Sequence, residues 1–255
     1  MIADAVSPAS ITTSARRATA RNGAMLYDAS RLSNADDSLF EVKTWLADQA
    51  TQRTPSGRGG ALFVEHAGQA WVLRHYHRGG FVARFNADRY LWTGEQRTRP
   101  FREWQLLAEL HAAGLPVPAP VAARYVRHGL TYSGDLITER ISDAQPVSAL
   151  LARAPLPAAT WRAIGAGVRR LHDAAVWHAD LNAHNILIGS DGSVSLIDFD
   201  RARRRGPGGG WREANLARLE RSLHKICREL PADRFQSDDW SMLRSGYESA
   251  LSAAI

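Results

Sequence analysis

From Ala61 to Tyr76, apolar and polar positions follow the pattern of strands. Ala61-Leu62-Phe63-Val64-Glu65-His66 and Ala70-Trp71-Val72-Leu73-Arg74-His75-Tyr76 flank the turn residues Ala67-Gly68-Gln69, so a hairpin is predicted. Leu130 to Ile141 predicts two short strands with a turn at Ser133-Gly134, ending in a hinge-like stretch, Thr138-Glu139-Arg140-Ile141. Between these regions the period changes. Leu106, Leu107, Leu110 and Ala113 recur at helical spacing beside Trp104, predicting a helix over 101–113. Gly114 stops it, and Pro116, Pro118 and Pro120 follow. Past residue 141 the chain turns helical. Trp161, Ile164, Val168 and Leu171 mark a helix over 158–175, strands return over 186–198, and a basic amphipathic helix spans 211–229. A strand-rich first half and a helix-rich second half predict an α+β protein of two lobes. The expected division is 1–24 as a loose tail, 25–140 as the sheet lobe and 141–255 as the helical lobe.

The second half carries a concentrated piece of chemistry. Asn185 precedes the strand Ile186-Leu187-Ile188, the turn Gly189-Ser190-Asp191-Gly192 follows, and Val194 to Ile197 leads back to Asp198. An antiparallel hairpin sets the start of its first strand beside the end of its second, about 5 Å away. Asn185 and Asp198 are therefore expected on neighbouring strands, where an amide oxygen and a carboxylate suit Mg²⁺. Asp180 lies on the loop feeding the same end. In the first half, closing the Ala61–Arg74 hairpin brings Arg74 next to Gly57-Arg58-Gly59-Gly60. Gly57, Gly59 and Gly60 let backbone N–H groups approach phosphate, and Arg74 adds a fixed cation. Arg201, Arg203 and Arg204 directly follow the metal aspartate and are candidates for an acidic substrate.

His178-Ala179-Asp180-Leu181 through Asn185, with Asp198-Phe199-Asp200, resembles the catalytic and metal motifs of protein kinases. That resemblance implies a protein-kinase-like fold, with an antiparallel-sheet N-lobe and a mainly helical C-lobe. Asp180 would accept the proton of a substrate hydroxyl, and Asn185 and Asp198 would hold Mg²⁺. Glu103 would pair with Arg74, and the backbone around Glu139 and Ile141 would meet the adenine of ATP. His178 would brace the loop, and His184 would make a local contact. The pattern also departs from protein kinases. An arginine stands at 74 where they have lysine, Asp200 replaces glycine, the glycine loop is short, and no Ala-Pro-Glu follows. The last absence argues against a regulated activation loop.

Leu196 to Arg203, Trp211-Arg212, Asn215 to Leu219 and Arg221 to Lys225 resemble the lipopolysaccharide kinase family, as do Val72 to Tyr76 with Arg78-Gly79-Gly80 and Arg89 to Gly94. This similarity runs from about residue 25 to 240. It implies transfer of the ATP γ-phosphate to the 4-hydroxyl of 3-deoxy-D-manno-octulosonic acid (Kdo) on Kdo-lipid IVA. It also implies peripheral attachment to the cytoplasmic face of the inner membrane.

Composition narrows the picture slightly. Cys227 is the single cysteine, so no intrachain disulfide forms, as in a reducing compartment. No apolar run approaches the roughly 20 residues of a membrane span. Met1 to Asn22 lacks an apolar signal core. The net charge is +6, almost all from arginine, with lysine only at 43 and 225. Arginine suits phosphate and carboxylate. Charge alone would allow nucleic-acid binding, but none of the nucleic-acid motifs is present, and no nucleic-acid partner is expected. The 211–225 helix either packs within its lobe or meets anionic headgroups. Rival functions are a kinase for a core heptose or an aminoglycoside, and a nucleotide-binding pseudokinase. Intact Asp180, Asn185 and Asp198 speak against the pseudokinase.

Overall fold

The computed structural model describes residues 14–47, 52–53, 61–77 and 88–249. The chain divides into two compact units, one of residues 1–113 with 119–140 and the other of 114–118 with 141–255.

The first unit is built on an antiparallel sheet. Its strands are β1 (Ala15–Ala20), β2 (Gly23–Asp28), β3 (Gln52–Arg53), β4 (Leu62–His66), β5 (Gln69–His75), β6 (Tyr90–Leu91), β7 (Pro120–His128) and β8 (Thr131–Glu139). The order is β1-β2-β7-β8-β5-β4-β3, with β6 also paired to β8. Alternation along β5 sends Trp71 and Leu73 to one face. There they join Met25, Leu62, Val64, Val121 and Ile137 under Leu39, Phe40 and Trp45, the last on helix α1 (Val42–Ala47). The other face carries helix α2 (Arg99–Ala112), which buries Phe101, Trp104, Leu107 and Leu110. The first N–H of α2, on Arg99, is satisfied by the hydroxyl of Tyr132 on β8 at 2.9 Å.

Two sequence expectations change here. Residues 15–24, assigned to a loose tail, form β1 and the start of β2, paired from Ala15↔Asp28 to Ala20↔Gly23. Their weak apolar content is that of an edge, where one side of the ladder faces solvent. Residues 131–139 form one strand rather than two, and the turn falls at Gly129-Leu130, where Gly129 has φ 64°. Gly134 looks like a turn residue but serves packing. A Cβ there would lie 2.7 Å from Cγ of Pro100, in the first turn of α2.

The second unit is mainly helical, with α3 (Val147–Arg153), α4 (Ala158–Asp173), α5 (Trp211–Cys227) and α6 (Ser237–Ser249). Short strands fill the intervals: β9 (Ala144–Pro146), β10 (Val176–Trp177), β11 (Ile186–Gly189), β12 (Val194–Leu196) and β13 (Arg203–Arg204). Helices α4 and α6 cross closely because both carry glycine at the contact. A Cβ on Gly165 would lie 2.0 Å from the Leu243 carbonyl oxygen, and one on Gly246 would lie 2.1 Å from that of Arg162. Among the described residues, no helix is long and apolar enough to cross a membrane. The α+β organisation matches the expectation: an antiparallel sheet in one unit and mostly helix in the other.

Candidate active site

In the first unit, β5 and α2 bring the expected cation and carboxylate together. Arg74 alternates with Leu73, so it leaves the Trp71 face and points to the α2 side. Its guanidinium is ion-paired with Oε1 of Glu103. Glu103 is only 4% exposed, yet both oxygens are satisfied, because Tyr76 donates its hydroxyl to Oε2 at 2.5 Å. Arg74 also lies 4.8 Å from the centroid of the Tyr76 ring. Three side chains, Arg74 and Tyr76 from β5 and its end and Glu103 from α2, thus fix one another. Gly57, Gly59 and Gly60, with Arg78-Gly79-Gly80, lie outside the described residues.

Behind Arg74 runs a second charged chain. His75 Nδ1 donates to Oδ1 of buried Asp135 at 2.6 Å. Oδ2 of Asp135 accepts from Arg124 at 2.9 and 3.0 Å, and Arg124 reaches Oδ1 of Asp37 at 2.9 Å. The hydrogen bond to Asp135 pushes the His75 imidazole above its ordinary pKa, against the effect of burial. In the hinge-like stretch, the N–H groups of Glu139 and Arg140 go to the carbonyls of Ala119 and Ala70, both at 2.9 Å. The Glu139 side chain accepts from Arg31 at 3.1 Å.

In the second unit, the loop from His178 to Asn185 is tied down from several sides. His178 is fully buried, and its Nε2 donates to the Ile197 carbonyl at 3.0 Å. Its Nδ1 accepts the N–H of Asp180 at 3.1 Å. This pair of roles requires the neutral ring, and burial lowers the His178 pKa accordingly. Phe199 packs edge-on against it at 4.9 Å between ring centroids. His178 therefore braces the loop, as expected. The backbone N–H of the exposed His184 is bonded to Asn182 Oδ1 at 2.8 Å, a local turn contact.

Asn185 sits 9% exposed at the head of β11, and its Nδ2 donates to the Asp180 carbonyl at 2.9 Å. That bond sets the orientation of the amide and leaves Oδ1 as the outward acceptor. Asp198 is displaced by one position from the expected pairing. The β11–β12 register aligns Ile186 with Leu196, and the Ile197 N–H bonds to the Asn185 carbonyl at 3.0 Å. Asp198 is the next residue and adopts φ 63°. Left-handed backbone at a non-glycine residue is uncommon and costs energy, and such outliers gather at functional sites. Asp198 thus lies at the bend after β12, one position beyond the cross-strand partner of Asn185.

Asp180 itself is half-exposed and ion-paired with Arg218 of α5. Sequence reasoning missed Arg218, as it missed Asn215, which grips both backbone polar groups of His178. Asn215 Nδ2 donates to the His178 carbonyl at 2.9 Å, and its Oδ1 accepts the His178 N–H at 3.3 Å. The same Oδ1 accepts from His172 Nε2 at 3.1 Å, and His172 Nδ1 meets the Tyr247 hydroxyl at 2.8 Å. Burial drives the His172 pKa down to about 4, so it is neutral near pH 7. The sequence holds one faint signal for this network. Asn215, Arg218 and Ser222 recur at spacings of three and four beside Leu216, Leu219 and Leu223.

The arginine run is more engaged than a candidate substrate patch suggests. Arg203 and Arg205 lie 5.5 and 5.3 Å from the Trp177 ring centroid, and Arg204 donates to the Ala174 carbonyl at 2.9 Å. Arg201 is exposed with φ 61°. The reason is the β10–β13 pairing, Val176↔Arg204 and Trp177↔Arg203, which a basic glycine-rich stretch does not advertise.

Comparison with known proteins decides the family. Residues 42–247 match the Lipopolysaccharide kinase (Kdo/WaaP) family. The chain belongs to the lipopolysaccharide kinase family. The 3-deoxy-D-manno-octulosonic acid kinase of Xylella fastidiosa (strain 9a5c) is 44% identical over 232 residues, 91% of this chain and 92% of that protein. The protein of the same name from Xanthomonas axonopodis pv. citri (strain 306) is 46% identical over 231 residues, covering 89% and 90%. Among solved structures, vaccinia related kinase 3 is similar at a TM-score of 0.45 and 14% identity, over 80% of this chain and 86% of that one. As a lipopolysaccharide kinase family member the chain is a phosphotransferase acting on an alcohol group.

Proposed function

We propose that this chain transfers the γ-phosphate of ATP to the 4-hydroxyl of Kdo on Kdo-lipid IVA, at the cytoplasmic face of the inner membrane. The observation that carries this reading is the 44% and 46% identity, over about nine-tenths of the chain, to two proteins named for Kdo kinase activity. The residues supply a matching mechanism. Asp180 is half-exposed on a loop braced by His178 and Asn185, a suitable place for a base that must meet an incoming hydroxyl. The hydroxyl oxygen bonds to the γ-phosphorus, the bond to the bridging β–γ oxygen breaks, and Asp180 accepts the proton.

Asn185 Oδ1 and the Asp198 carboxylate fit Mg²⁺, which takes few protein oxygens and shares its remaining positions with water and phosphate. Asn185 and Asp198 would hold Mg²⁺, which would supply positive charge for the phosphates. Arg74, kept in place by Glu103 and Tyr76, offers a cation to phosphate in the first unit, and Gly57, Gly59 and Gly60 remain its expected backbone partners. The adenine contact stays with the backbone at Glu139 and Ile141. Arg201 is the best placed of the Arg201, Arg203 and Arg204 set for acidic substrate, because the other two are held by Trp177 and Ala174. Attachment to the membrane is peripheral, through basic side chains at anionic headgroups.

The test is direct. Purified protein with Kdo-lipid IVA, ATP and Mg²⁺ is expected to raise the glycolipid mass by one phosphate, with the new ester at the 4-position by NMR. Transfer only to a heptose or an aminoglycoside would overturn the reading.

A further inference from the structure

One face of α5 is spent on the Asp180 loop. Asn215, Arg218 and Ser222 are spaced three and four apart and so share a side of the helix. Asn215 holds the His178 backbone at 2.9 and 3.3 Å, and Ser222 Oγ accepts the Ala183 N–H at 3.3 Å. These two attachments bracket the loop and fix it relative to the helix. Between them Arg218 places Nη2 against Asp180 Oδ1, with side-chain exposures of 45% and 42%.

A guanidinium carries five N–H donors, and Asp180 takes only Nη2 of Arg218. The remaining donors have no partner among the described residues, and they face solvent beside the proposed base. This contrasts with Arg203, Arg204 and Arg205, which are held by Trp177 and Ala174. A lone carboxylate at Asp180 would repel an acceptor that is itself an acid. A guanidinium between them can bond both at once, since its planar fork matches carboxylates.

We propose that Arg218 binds the carboxylate of the acceptor sugar acid and is a specificity-determining residue of this kinase. The assignment rests on the glycolipid reading above. Arg218 holds Asp180 with one nitrogen and receives the sugar carboxylate with its free edge. The acceptor hydroxyl is thereby aligned with Asp180, and a neutral sugar lacks the anchor.

The experiment compares kcat/KM on Kdo-lipid IVA and on the same glycolipid with its carboxylate reduced to hydroxymethyl. The wild-type protein is expected to prefer the acid by on the order of tenfold or more, the scale of a charge-assisted hydrogen bond. Arg218→Gln is expected to bring that preference close to one, chiefly through acceptor KM. Arg218→Lys, which keeps the charge and loses the fork, is expected to fall between. Equal losses of kcat on both acceptors, with the preference kept, would overturn the proposal and leave Arg218 a positioning residue for Asp180. If Arg218→Gln does not fold by circular dichroism, Arg218→Lys carries the same comparison. A wild-type protein inactive on both glycolipids but active on another acceptor counts against the glycolipid reading, and removes the ligand of Arg218 with it.

Discussion

The two units hold their candidate groups by opposite electrostatic means. In the first, Arg74, Glu103, His75, Asp135, Arg124 and Asp37 are charged or favour charge, and they pair off on a sheet already rigid through its ladder. In the second, the backbone of the Asp180 loop hangs on neutral groups, and the charge of Arg218 meets only the Asp180 side chain. His178, His172, Asn215 and Tyr247 are buried and joined by hydrogen bonds without a formal charge among them. A strand can present a cation with only a local partner, because its backbone is fixed by neighbours on both sides. A loop has no ladder, so its backbone N–H and C=O groups must be gripped by side chains. Neutral partners suit the buried backbone of the loop, while the charged partner of Asp180, Arg218, sits half-exposed.

This contrast can be broken or sharpened by experiment. Asp180→Ala is expected to lower transfer by about a thousandfold, within the range for loss of a general base, while nucleotide affinity holds. Comparable loss of nucleotide binding by calorimetry would break the division of labour. The next effect is in pH. His172 has a folded pKa of about 4 against the ordinary 6.5, so the unfolded chain binds the extra proton between those values. Stability is then full above about pH 6.5 and lost as pH falls toward 4, by about 3 kcal/mol. The urea midpoint of His172→Gln should change less over that interval than that of the wild type; equal slopes would remove His172 from the linkage.

Asn215→Ala leaves the His178 N–H and carbonyl and the His172 Nε2–H without their partner. Unfolding stability is expected to drop by about 2 kcal/mol, read from the urea midpoint at constant m-value. Arg74→Lys keeps the charge but loses the fork that contacts Glu103 and covers Tyr76, and the KM for ATP is expected to rise by about tenfold. An unchanged KM would take Arg74 out of phosphate binding. The smallest effect is at His75. Its raised pKa means that its contribution is present below pH 6.5 and lost as pH rises through the folded value. With its ring partly in solvent, this contribution is small. NMR titration of the imidazole would show the direction, and a depressed pKa would erase the contrast between the units.

Much of the architecture was legible because period speaks directly. The alternation around Trp71 and Leu73 predicted β5, and Leu107 and Leu110 predicted the buried stripe of α2. Asp180, Asn185 and Asp198 read as a group because a hairpin carries its own geometry, although the register sets Ile197 and not Asp198 opposite Asn185. The errors came where a residue type has two uses. Gly134 read as a turn, but it clears space for Pro100 in mid-strand. The arginines after Asp200 read as a patch for an acidic substrate, while a two-residue pairing with β10 sets Arg203 and Arg205 beside Trp177 and bonds Arg204 to Ala174. Residues 15–24 read as tail because an edge strand needs little apolar content.

The sequence was enough for part of the local geometry, namely β4, β5, α2, α4, α5 and the strands over 186–198, and for the chemistry packed into 178–200. Those follow from contacts a few residues apart, where chain connectivity restricts the possibilities. Only the tertiary structure decided what holds Asp180. Arg218 follows it by 38 positions, Asn215 follows His178 by 37, and Tyr247 follows His172 by 75. No period links such partners. They meet because side chains of α4, α5 and α6 join in the interior, where polar groups must be satisfied.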